Sequence, residues 1–149
     1  MRRTHLAALT LLVGLLALAA AAVGPDAKET SEASGVERPD LIVARFHADW
    51  CGACKTLAPK FDALKQAAAD ERVLFVTLDL TTADSRRQAA LLAGALGLDK
   101  AWALSGLKTG QAMIICGRYK EVIATVPAAE DLAASLEKLR DALAMIPQH

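Results

Sequence analysis

Cys51 and Cys54 are separated by two small residues, Gly52 and Ala53. One helical turn brings cysteines at this spacing into disulfide range with little backbone movement, so the pair is a candidate redox switch. Its flanks say where it sits. An apolar, strand-like run, Leu41 to Phe46, precedes it, and a run with helical period, Leu57 to Ala69, follows. Cys51 is therefore expected at a helix N-terminus, where unpaired amide N–H groups and the helix dipole favour thiolate over thiol. It reads as an exposed nucleophile that attacks a substrate disulfide, with Cys54, one turn deeper, resolving the mixed disulfide. A structural disulfide is the competing reading. No metal site is expected, because a structural zinc wants four Cys/His ligands and, apart from Cys116 and His47, no second ligand pair appears at metal spacing. No cofactor is implied.

The elements that must position the pair follow from periodicity. Leu41 to Phe46 has apolar residues on both parities, as in a central strand buried on two faces. A helix from about Cys51 to Ala69 carries Leu57, Phe61, Leu64 and Ala68 on one stripe, with Pro59 inside it as a source of a kink. Val73 to Leu80 is a second strand, parallel to the first by a right-handed crossover. A second helix, capped by Thr82, Asp84 or Ser85, runs through Leu91 and Leu92 to about Leu96 and ends at Gly97. The pattern lapses from Leu98 to Gly110. Ala112 to Cys116 and Glu121 to Val126 form an antiparallel hairpin, and Ala128 to Met145 is a last helix with Leu132, Leu136, Leu139 and Leu143 on one face. The expected class is α/β, a four-stranded mixed sheet flanked by helices.

The chain of 149 residues, 54% apolar, has room for one domain and a targeting segment. Residues 1 to 22 read as a secretory signal, with a basic start (Arg2, Arg3), an apolar stretch (Leu6 to Leu18) and an alanine cluster for cleavage; an uncleaved anchor is the alternative. Residues 23 to 40 read as a flexible linker, and 41 to 146 as the folded domain. Export, to a periplasm or another oxidising space, suits a dithiol that meets disulfides. Without Arg2 and Arg3 the chain has 15 basic against 17 acidic side chains, a net charge of −2. That balance offers no footprint for nucleic acid.

Phe46 to Lys55, with Trp50-Cys51-Gly52-Ala53-Cys54-Lys55 at its centre and Ala58-Pro59 following, resembles the active-site segment of thioredoxins. The resemblance extends over about Leu41 to Ile146 and implies a thioredoxin-like fold with a dithiol exchanging electrons with cysteines of other proteins. Trp50 is then a shield and a flat surface for partners, or a core residue, and Lys55 a cation favouring the thiolate, or a solvated side chain. Four departures stand out. Gly52-Ala53 replaces the family's Gly-Pro, a tuner of redox potential. Arg45 replaces a buried acid, and would have to reach solvent or a carboxylate such as Asp79. The family's cis-proline has no counterpart in Lys108-Thr109-Gly110-Gln111, so a trans peptide and a less obstructive loop are expected, leaving the thiolates open to soft metals. The family's extra N-terminal strand and helix are missing, which makes this a minimal core.

His47 is either a proton shuttle or a packed histidine. Cys116 reads as a buried, inert thiol, and Trp102 as a lid over the dithiol or a plug for a groove. The function these readings converge on is an extracytoplasmic thiol-disulfide oxidoreductase, monomeric, acting on cysteine-containing proteins and recycled by a redox partner. Membrane association is expected only if the N-terminal segment stays attached. The alternative is a non-catalytic binding module whose CxxC is a structural clip and whose Thr109-Gly110 loop holds a partner.

Overall fold

The computed structural model describes residues 37–146, so the segments expected to be a signal and most of a linker lie outside the described residues. Four strands, β1 (Leu41–His47), β2 (Val73–Asp79), β3 (Gln111–Cys116) and β4 (Val122–Pro127), form one sheet in the order β2-β1-β3-β4. Strand β1 runs parallel to β2 and antiparallel to β3, and β3 runs antiparallel to β4. The helices are α1 (Gly52–Ala67), α2 (Ala83–Ala95), α3 (Asp99–Ser105) and α4 (Leu132–Ala144). This is the α/β, four-stranded mixed sheet flanked by helices that the apolar periodicity implied.

Alternation along β1 builds two cores, because successive side chains leave opposite faces of a strand. Leu41 and Val43 pack with Leu57, Phe61 and Leu64 of α1, Ile114 of β3 and Leu139 of α4. Ile42, Ala44 and Phe46 pack with Leu78, Ala89 and Ala93 of α2, Leu98, Ala101 and Ile115. Each large side chain fully buried this way contributes about 1.5–3 kcal/mol. The expected α1 stripe of Leu57, Phe61, Leu64 and Ala68 is buried throughout, and the helix continues through Pro59.

Several expectations are corrected. The segment after Leu98 is a helix, α3, closed by the buried Ser105, whose hydroxyl donates to the Trp102 carbonyl and accepts from the Leu107 N–H. Helix α4 starts at Leu132 rather than Ala128, because Asp131 caps it by accepting from the Ala134 N–H. In α2, capped by Thr82 and Ser85, the buried residues are Ala89 and Ala93, whereas Leu91 and Leu92 face outward. Cys116 is half-buried, not buried, since it closes β3 where the chain turns into the hairpin.

Candidate active site

Strand β1 and helix α1 meet at the dithiol. Cys51 is the N-cap of α1: its backbone is extended (φ −86°, ψ 109°), and its Sγ accepts the Cys54 N–H at 3.1 Å. An N-cap normally uses a side-chain oxygen for this bond, so here the sulfur does the capping. The Thr109 hydroxyl and the Ala53 N–H also donate to Cys51. Burial pushes the Cys51 thiol up, but the hydrogen bonds from Cys54, Thr109 and the backbone outweigh it and hold Cys51 below the ordinary thiol value of 9.0.

Cys54 goes the other way. Burial raises it, and so does the bond to Cys51, which needs the Cys54 proton; the Ala48 and Gly110 N–H groups act against them. A second acceptor for that proton is the Phe46 carbonyl, 3.8 Å away. The two shifts divide the labour: one sulfur gives up its proton more readily than an ordinary thiol, and its neighbour less readily. Both cysteines are free thiols.

The expected exposure of Cys51 is corrected. It is 7% accessible and Cys54 1%, and together with Ala48 they form a small buried cluster. The cause is the loop before β3. Gly110, at φ +78°, donates its N–H to Phe46 O at 3.1 Å and accepts from the Ala128 N–H at 2.9 Å, which fixes its peptide against α1. A Cβ at this position would lie 2.6 Å from the Ala53 Cβ and 3.5 Å from Cys51 Sγ. The Thr109-Gly110 peptide is trans, as expected, yet the loop covers the sulfurs rather than opening them to metals.

Around this centre Trp50 is 66% exposed, with its indole N–H donated to the Thr81 carbonyl at 3.2 Å. Thr81 is itself held by Asp79, whose Oδ1 accepts both its N–H and its hydroxyl. Those bonds keep the Asp79 carboxyl below the usual range. Gly52, Ala53 and Lys55 occupy the first turn of α1, and Gly52 and Lys55 are exposed there.

Arg45 is half-buried in the middle of β1, and its guanidinium bond lies at the exposed side of the sheet. It does not reach Asp79; one guanidinium nitrogen donates to Thr77, its register partner on β2, and the group lies 4.7 Å above the Phe61 ring. Its Nε is buried without a hydrogen bond. His47 bonds Asp49 through Nε2 at 3.2 Å, and its buried Nδ1 has no partner. Trp102 packs on Phe46 in the α2 and α3 core, ring centroids 6.3 Å apart, so it plugs that core and is no lid. Spacing gave no hint of Phe46 O, Ala128 and Thr81, which act through backbone groups that any residue carries.

The family model described as Thioredoxin matches residues 27–93. Protein disulfide-isomerase A3 of Gallus gallus is 52% identical over 65 residues, 41% of this chain and 12% of that protein. A thioredoxin of Echinococcus granulosus is 47% identical over 47 residues, 32% of this chain and 42% of that protein. The chain thus spans less than half the length of either relative. A crystal structure of Malassezia sympodialis thioredoxin (Mala s 13) aligns at 22% identity and a TM-score of 0.45, covering 70% of this chain and 80% of that one. The family match spans β1, the dithiol, α1 and β2, so the chain is similar to thioredoxins and protein disulfide-isomerases over the segment that carries the CxxC-spaced pair.

Proposed function

We propose that the chain is a thiol-disulfide oxidoreductase that exchanges its Cys51-Cys54 dithiol with disulfides of other proteins. The observation that carries this reading is the placement of the two sulfurs: Cys51 Sγ caps α1 by accepting the Cys54 N–H at 3.1 Å, and Cys54, one turn deeper, turns its thiol to the Phe46 carbonyl. Cys51 attacks, the substrate sulfur leaves, and Cys54 closes the ring. Trp50 offers protein substrates an exposed aromatic face next to the sulfurs. Export to a periplasm or similar space, action as a monomer and recycling by a redox protein complete the proposal; Arg2, Arg3 and the apolar stretch from Leu6 to Leu18 support the export.

The burial of Cys51 favours a second reading, a partner-binding module whose CxxC is only a clip. Insulin-type disulfide reduction separates the two. The oxidoreductase reduces insulin with turnover when dithiothreitol recycles it, and a Cys51→Ser variant is inactive. An inert dithiol under these conditions leaves only the module. Fractionation and the mass of the mature chain test export independently.

A further inference from the structure

Resolution of a mixed disulfide needs Cys54 as a thiolate, and the groups around it are not the ones a proton acceptor would supply. Among the described residues the hydrogen bonds of Cys54 run to Phe46, Cys51 and backbone N–H groups, not to a carboxylate. The side chain at position 45 is a cation engaged with Thr77 and Phe61. Something must stabilise the negative sulfur when it forms, and a buried anion without donors is costly.

Two hydrogens converge on one oxygen here. The Phe46 carbonyl accepts the Gly110 N–H at 3.1 Å and lies 3.8 Å from Cys54 Sγ. While Cys54 is protonated, its S–H and the Gly110 N–H share the carbonyl's two lone pairs. Once the proton is gone, carbonyl and sulfur repel each other, and the Gly110 N–H, already bonded to that carbonyl, is a backbone donor that also acts on the Cys54 sulfur. Its direction is held by its bond to the Phe46 carbonyl, while the Gly110 carbonyl is anchored by the Ala128 N–H and the absence of a Cβ lets the backbone lie against Ala53. Such a donor costs no reorganisation when the charge develops.

We propose that the Gly110 backbone N–H is the positioning group that holds the Cys54 thiolate during resolution, a role for which a proline at this position would have no atom. The inference rests on the oxidoreductase reading for its purpose but not for its chemistry. In the step it serves, the Cys54 thiolate attacks Cys51 Sγ of the mixed disulfide and the bond from Cys51 to the substrate sulfur breaks. Its electron pair leaves on the substrate sulfur, which takes a proton from water, and the Cys51-Cys54 bond forms. The Cys54 proton has passed to water beforehand. Two electrons have moved from the dithiol to the substrate disulfide, so no further reductant is needed for this half-cycle.

The test follows titration rather than exchange. In the full chain carrying Cys51→Ser and Cys116→Ser, Cys54 is the remaining thiol, and its thiolate is read by ultraviolet absorbance while the Gly110 amide is followed by NMR. The expected result is a downfield movement of the Gly110 amide proton with the same midpoint as thiolate formation. A Gly110 amide that ignores the titration overturns the proposal. An inert dithiol in the insulin assay would sink the proposed function and leave this result standing.

Discussion

Gly110 and Ala53 are fitted to each other across the dithiol: a Cβ on Gly110 would lie 2.6 Å from the Ala53 Cβ, closer than two carbons can pack. The backbone at Gly110 is also left-handed, φ +78°. Gly110→Ala should therefore destabilise the chain by about 2–4 kcal/mol, combining backbone strain with overpacking. Ala53→Gly removes the overpacking, so a double-mutant cycle by urea denaturation should return a coupling of about 1–3 kcal/mol in favour of the double variant. Additive losses would mean that the loop does not press on α1.

The opposed sulfurs make a pH prediction with a definite sign. Cys51 is lowered from 9.0, so what its thiolate contributes to stability is present above 9.0 and lost as pH falls through the folded value. Cys54 is raised from 9.0, so its contribution is present below 9.0 and lost as pH rises through the folded value. In reduced native protein, alkylation by iodoacetamide read by peptide mass spectrometry should rise at Cys51 with a midpoint below 9.0 and at Cys54 only above it. A shared midpoint would remove the assignment of nucleophile and resolving thiol.

The strands, α1 and the dithiol were legible because each rests on side chains with strong local preferences. Leu41 to Phe46 alternates between two cores, and Leu57, Phe61 and Leu64 keep helical spacing. Helix α3 was not legible, although Leu98, Ala101, Trp102 and Ser105 have helical spacing. Two of the four are small, Ser105 is polar yet fully buried, and seven residues hold less than two turns. The burial of Cys51 was hidden for another reason. It comes from the Thr109-Gly110 peptide, and no side-chain pattern reports where a distant backbone will lie.

Arg45 yields a stability prediction in which two effects compete. Replacing it by Met forfeits a cation over the Phe61 ring, worth about 0.5–1 kcal/mol, and frees Thr77, which is exposed and hydrates without cost. The same change removes a buried Nε that has no partner, a group whose burial costs about 1–3 kcal/mol. The second effect is larger, so Arg45→Met should be neutral or stabilising by up to about 1 kcal/mol in urea denaturation. A loss above about 2 kcal/mol would show that the guanidinium is integral to the core.

Trp50 should separate recognition from chemistry. Its ring is 66% exposed and its attachment to the fold is one hydrogen bond to the Thr81 carbonyl. Truncation to Ala therefore leaves the cores intact and should change stability by less than about 1 kcal/mol. The donors that lower Cys51 belong to Cys54, Thr109 and Ala53, so the sulfur's reactivity toward a small disulfide should stay within about twofold. A protein disulfide is different, because exposed aromatic anchors carry a large share of binding energy at interfaces and losing one costs about tenfold or more in affinity. Trp50→Ala should thus raise KM for a protein disulfide about tenfold while leaving kcat near the parent value, and Trp50→Phe should restore much of the loss. Equal losses on small and protein disulfides would place Trp50 in the chemistry of Cys51 instead of in partner binding.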